Sequence, residues 1–242
     1  MENPRPIRTI YFQIQGKGGT GKSFLTYLLA NKFRHEKDSL FIDADTENKT
    51  SSAQNLKFLS PPTRLAYFSI LDDKNKIKRD KITKMLDRFG KEDFPFEKVF
   101  IDLGATESIQ FLRLFADDFE PSILKKIEEK YQLKFVFNVV IAGNTSFAAC
   151  VNFLEKVQQI FQENHEIIIY ANAEEFRNSY TQMENLREMG KLHKLAVKEF
   201  GNTEKNSTIG DEIAIMMIEG KSIDDYPDMF AFFQMEKEFQ QI

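Results

Sequence analysis

The feature that most constrains this chain is a run of eight residues, Gly16-Lys17-Gly18-Gly19-Thr20-Gly21-Lys22-Ser23. It fits the pattern G-x-x-x-x-G-K-[ST], and its surroundings are those the pattern needs. Residues 7–15 are rich in β-formers, and residues 22–34 carry Leu25, Leu28, Leu29 and Phe33 at helical spacing. The order is therefore strand, glycine loop, helix. Glycines let successive backbone N–H groups turn inward around phosphate oxygens, aided by the positive end of the following helix. In such a loop Lys22 is expected to meet the β- and γ-phosphates and the Ser23 hydroxyl to bind Mg²⁺. Lys17 stands where an ordinary phosphate loop needs no cation. Its spacing matches the deviant form K-G-G-x-G-K-[ST], the alternative being a solvated loop lysine.

Two further segments place carboxylates at strand ends. The short apolar run at residues 40–42 ends in Asp43-Ala44-Asp45, followed by Thr46-Glu47-Asn48. Asp43 is placed to hold the Mg²⁺ shell and Asp45 to orient the attacking water, because phosphoryl transfer depends on positioning more than on covalent chemistry. The same residues also suit an acidic turn opening a helix, with Asp45 or Thr46 as its cap. Val99-Phe100-Ile101-Asp102 has the form of a strand whose final carboxylate binds a water of the magnesium shell. Gly104, just beyond, would permit a backbone change on loss of the γ-phosphate.

Residues 135–142 and 166–171 are two more β-rich runs, with a helical pattern over 147–161 between them. Strands alternating with helices predict an α/β fold of three layers, a mainly parallel sheet with helices on both faces. Ligands in such sheets bind beyond the carboxyl ends of the strands, where Gly16, Asp43 and Asp102 all fall. Residues 61–96 read less clearly, as a strand near 65–70 and a helix near 81–89. From Glu174 onward the sequence reads as helical and charged. No repeat or linker divides the 242 residues, so a single domain over 1–242 is expected.

Composition excludes several classes. A net charge of -4 offers no overall attraction to nucleic acid or anionic membrane. One cysteine, Cys150, excludes an intramolecular disulfide and a multi-cysteine zinc site, and suits a reducing cytoplasm. Residues 7–15 are too short to span a bilayer and read as a strand rather than a signal peptide, and no membrane span appears elsewhere. His35, His165 and His193 lack metal-ligand spacing and read as surface residues. Near the end, Phe230, Phe232, Phe233, Met235, Phe239 and Ile242 are interleaved with five acidic residues and one lysine after Lys221. An interfacial helix favours a basic polar face, so packing against the core or a partner is expected.

The chain resembles the ParA/MinD group of deviant Walker A ATPases, and within it the TraL, MobD and StbB-type proteins encoded near plasmid transfer and stability genes. The resemblance rests on Gln15 through Phe24, on Asp43-Ala44-Asp45 with Asn48 and Thr50, on Val140-Ile141-Ala142-Gly143, and on Gly210-Asp211-Glu212-Ile213. It implies binding of ATP and ADP with Mg²⁺ by residues 16–24, ATP-dependent homodimerisation through Lys17, hydrolysis that resets the switch, and an unidentified protein partner. It also implies adenine recognition by an asparagine ending a late strand. Asn172 is that candidate, and is equally suited to cap the segment that follows it. Thr46-Glu47-Asn48 replaces the Asp-Pro-Gln-Gly run of partitioning proteins, and Asp102-Leu103-Gly104 replaces their Asp-x-Pro-Pro. A DNA-positioning role would need a basic patch, for which Lys74, Lys76, Lys78, Arg79, Lys81 and Lys84 are candidates, although such a cluster is more often a solvated face. A small-molecule kinase or synthetase would need a second pocket, for which no motif is present.

Overall fold

Seven strands lie in the order β3-β2-β4-β1-β5-β6-β7, every neighbouring pair parallel. The computed structural model describes residues 7–45, 55–119, 122–161 and 163–242. Thr46, Glu47, Asn48 and Thr50 fall outside them. The strands are β1 Arg8–Ile14, β2 Ser39–Asp43, β3 Leu65–Tyr67, β4 Lys98–Asp102, β5 Leu133–Ile141, β6 Glu166–Asn172 and β7 Ala196–Phe200.

Helices cover both faces, and the alternation of strand side chains dictates which face each residue serves. Ile10, Phe12 and Ile14 of β1, with Val99 and Ile101 of β4, join the core beneath α2 Arg79–Phe89, α3 Ala105–Arg113, α4 Ser122–Tyr131 and α5 Phe147–Phe161. Phe41, Phe100, Val136, Val140 and Tyr170 point the other way. They pack with Leu25, Leu28 and Leu29 of α1 Lys22–Lys32. Phenylalanine fills much of the volume: Phe12, Phe111, Phe115, Phe137 and Phe161 form a chain of ring contacts on the first face, the Phe137 and Phe161 rings stacked 4.1 Å apart.

The chain after β6 departs from the helical expectation. It forms α6 Ala173–Phe176, α7 Tyr180–His193, α8 Thr208–Glu219 and α9 Met229–Gln241, but β7 lies between α7 and α8 and extends the sheet. Its Lys198 and Glu199 disguise it. At a sheet edge only one side is paired, so the strand needs no continuous apolar run. Lys198 lies over the Tyr170 ring at 5.7 Å, and Glu199 accepts from Arg187. The helices at 105–113 and 122–131 were likewise not read from the sequence. Residues 65–67 and 79–89 match the strand and helix expected there, with shifted ends.

His165 corrects another expectation. Its side chain is fully buried among Phe135, Phe137 and Phe161, with Glu128 3.4 Å away. His35 and His193 are exposed as expected. The aromatic tail divides: Ala231, Met235, Phe239 and Ile242 are buried, whereas Met229, Phe230 and Phe233 face outward. Among the described residues no helix is long and apolar enough to cross a membrane.

Candidate functional site

The glycine loop leaves the end of β1 and runs into α1, as the sequence order requires. Gly19 and Gly21 take φ of +75° and +101°, a region side chains disfavour, and Gly21 caps the helix start. Gln15 anchors the loop. Its backbone N–H donates to Ser108 Oγ at 3.2 Å, its side-chain amide donates to the Val140 carbonyl at 2.8 Å, and its Oε1 accepts from the Lys17 N–H at 3.3 Å. Lys17, Gly18 and Gly19 are exposed at the tip, Gly16, Gly21, Ser23 and Phe24 are half-buried, and Thr20 and Lys22 are buried.

Parallel register brings the strand-end carboxylates together. Asp43 of β2 and Asp102 of β4 are direct neighbours, and Asp102 is also paired with Gln13 of β1, itself beside Asn138 of β5. Asp43, Asp102, Gln13 and Asn138 thus form a buried polar row on the face covered by α1. Neither carboxylate oxygen of Asp102 meets a well-placed hydrogen-bond donor among the described residues. Burial lifts this carboxyl to about 7, with Lys22 opposing the rise. The same burial pushes the Lys22 ammonium below the ordinary lysine range, against the pull of Asp102, Asp45 and Glu107. Asp43 folds back to accept the Asp45 N–H at 3.0 Å, which fixes the turn leading to Asp45.

This donor set suits a hard cation. Among the described residues no group of three or more His, Cys, Asp or Glu side chains is arranged to hold a metal by itself. A magnesium ion needs no such cage: it takes one or two carboxylates and completes its shell with waters and phosphate oxygens. Asp102, Asp43 and the Ser23 hydroxyl are of that kind, and the unmatched oxygens of Asp102 are the observation that favours a cation there.

Beside the loop lies a cavity of about 390 Å³ with Phe24, Ile213 and Met217 as apolar walls and Asn172, Glu174 and Lys205 as polar lining. Gly210 and Ile213 of the late sequence motif border it. Asn172 stands at the cap position of α6 but makes no side-chain cap bond. Its Nδ2 instead donates to the Thr20 carbonyl at 3.1 Å.

The fold carries the comparison with known proteins. A putative plasmid partition protein from Borrelia burgdorferi B31, bound to AMPPNP, aligns over 98% of this chain and 98% of its own with a TM-score of 0.55 and 14% identity. The fold is that of ParA and MinD proteins. The MinC:MinD cell division complex of Aquifex aeolicus aligns over 96% of this chain and 95% of that one, at 0.53 and 11%. A ParA family ATPase from Chlorobium tepidum TLS covers 96% of each chain, at 0.50 and 13%. No family model and no curated protein matches the sequence.

Three residues at the site escaped the sequence reading. Glu107, in the first turn of α3, is fully buried within electrostatic reach of Lys22. Glu238 reaches from α9 to accept the Gly201 and Asn202 N–H groups at 2.9 and 2.8 Å, holding the loop that borders the cavity. Gln13 is fully buried with neither amide atom partnered among the described residues. A glutamate three residues into a helix reads locally as a cap, and the other two look like ordinary surface and strand positions. Gly104 also changes meaning. Its φ of -57° needs no glycine, and what the missing Cβ supplies is room for the carboxylates of Glu107 and Asp45. The basic cluster is partly engaged: Lys81 Nζ donates to the Ser69 carbonyl, Lys84 pairs with Asp80 and Arg79 with Asp118.

Proposed function

We propose that the chain is a Mg-ATP-dependent switch ATPase of the ParA/MinD kind, which dimerises around its nucleotide and acts through a protein partner in the transfer or maintenance of a plasmid or conjugative element. The observation that carries nucleotide binding is the junction of the left-handed Gly19 and Gly21 loop with buried Lys22 and the adjoining cavity. The loop N–H groups and Lys22 hold the phosphates. AMPPNP, named for the Borrelia protein of like fold, is an ATP analogue and favours adenine as the base. Phe24, Ile213 and Met217 are suited to its ring. With Nδ2 of Asn172 occupied by Thr20, the side-chain oxygen is the atom suited to the exocyclic amine.

Ser23, Asp43 and Asp102 hold Mg²⁺ in this reading, and the ion neutralises charge gathering on the phosphates. Asp45 orients water. Lys17, exposed at the loop tip, reaches the nucleotide of a second copy and supplies positive charge to the transition state in trans. The plasmid role rests on the sequence resemblance, and it is compatible with the putative plasmid partition protein among the structures of like fold. A DNA-positioning role is less favoured, because three of its six candidate basic residues are tied to neighbours.

Calorimetry with ATP and Mg²⁺ tests the core of this reading. Wild type should bind ATP and ADP, and Lys22→Ala should abolish both. Unchanged affinity in the variant would remove the loop from nucleotide binding.

A further inference from the structure

Glu107 occupies the third position of α3, where a glutamate ordinarily reaches back to cap its own helix. Its surroundings ask more of it. A Cβ built on Gly104 would stand 2.2 Å from Oε2 of Glu107 and 2.8 Å from Oδ1 of Asp45, so the two carboxylate oxygens are at most about 5 Å apart. Glu107 is fully buried, and its charge and that of Asp45 both bear on Lys22. Two carboxylates from different elements, β2's outgoing turn and α3, therefore converge beside the lysine that meets the phosphates.

A single acceptor fixes one hydrogen of a water molecule and leaves the oxygen free to swing about that bond. Two acceptors fix both hydrogens and so aim a lone pair. With O···O distances of about 2.8 Å, two acceptors sharing one water stand about 4.5 Å apart. That separation falls within the limit set by Gly104.

We propose that Glu107 is the second water-orienting carboxylate of this site, acting with Asp45 as a two-pronged acceptor for the water that attacks ATP. The inference rests on the ATPase reading above. In the step it serves, the water oxygen bonds to the γ-phosphorus as the bond from that phosphorus to the β–γ bridging oxygen breaks. The electron pair leaves on ADP, one water proton remains on the product phosphate, and the other passes by way of the carboxylate pair to solvent. Gly104 has a defined part: any side chain there would drive the two prongs apart.

Two variants separate this role from helix capping. Glu107→Gln keeps the length and the capping reach, since glutamine serves that position as glutamate does, but it removes the charge and one acceptor. Gly104→Ala keeps an allowed backbone and meets only the flexible ends of two side chains, so it displaces the carboxylates without harm to the fold. Each should lower kcat about 10- to 100-fold, the scale of a misplaced reacting group. Calorimetric ATP affinity should stay within about twofold and the thermal midpoint should hold. Turnover at the wild-type rate in Glu107→Gln, or a parallel loss of ATP binding and thermal stability in both variants, would overturn the assignment and leave Glu107 a structural cap. Failure of the ATPase reading looks different: wild type itself would bind no ATP or release no phosphate.

Discussion

Asn172, at the end of β6, donates its side-chain N–H to the backbone carbonyl of Thr20 at 3.1 Å. Residues 152 positions apart are thereby joined, and the glycine loop is tied to the strand that borders the cavity. Asn172→Ala leaves that buried carbonyl without its donor, an effect of about 1–3 kcal/mol on stability. Urea unfolding should report this cost. Calorimetry should show ATP weakened more than inorganic tripolyphosphate, which shares the phosphates but lacks the base. Equal weakening of both would confine Asn172 to the loop tie.

Lys17 and Asp45 are expected to fail in opposite ways. Lys17→Ala keeps the loop and its ATP affinity but loses the charge offered to a second copy, so ATP-dependent dimerisation and turnover should both disappear. Asp45→Ala should lower hydrolysis at least tenfold while ATP-bound dimers accumulate, because one prong for the water is gone. Light scattering with ATP and Mg²⁺ distinguishes them. Dimers of Lys17→Ala, or wild-type hydrolysis by Asp45→Ala, would refute dimerisation around the nucleotide through Lys17 with Asp45 orienting the water.

Glu238 should couple the aromatic C-terminal helix to the cavity beside the glycine loop. Its two bonds to the Gly201 and Asn202 N–H groups are buried or nearly so. Glu238→Ala strands both donors and should destabilise the chain by about 2–4 kcal/mol. ATP affinity should fall as well, measured below the unfolding temperature of the variant. A stability loss with unchanged ATP affinity would show that the Gly201 loop does not shape the bound state.

Arg34 and Asp224 give the acid side of the stability profile a defined contribution. Arg34 Nε and Nη2 meet the two oxygens of Asp224 at 2.7 and 2.8 Å, and this pairing holds the carboxyl below the usual aspartate range. A depressed folded pKa means stability present above the unfolded value near 3.9 and lost as pH falls through the folded one. Asp224 is 44% exposed, so screening limits the pair to about 1 kcal/mol. His35 lies 3.5 Å from the same carboxylate and adds to the effect only when protonated. The gap in stability between wild type and Asp224→Asn should therefore be constant near pH 7, and should close below pH 4. A gap that persists at pH 2.5 would assign it to packing instead.

Much of the site was legible because it is local. A β-rich run, four glycines and two lysines in register, and a helical repeat lie within some two dozen residues, and backbone physics links them without help from the rest of the chain. The strand ends at Asp43 and Asp102 were legible for the same reason: an apolar run that stops at a carboxylate marks where a buried strand reaches the open carboxyl end of the sheet. Parallel alternation followed from the strand and helix order.

What depended on distant partners was hidden. Ala196–Phe200 is a strand because Ile168–Asn172 offers it an edge, and its own Lys198 and Glu199 argue the reverse. His165 is buried because three phenylalanines from β5 and α5 close over it. Glu107 reads as a helix cap until Gly104 and Asp45 are brought against it, and Asn172 reads as a cap until Thr20 takes its hydrogen. The sequence alone determined the glycine loop between its strand and helix, and the layered sheet, since periodicity and glycine conformation act over a few residues. Only the tertiary structure decided which carboxylates face one another and which polar groups are buried, because charge and desolvation depend on neighbours that the folded chain brings from far along its length.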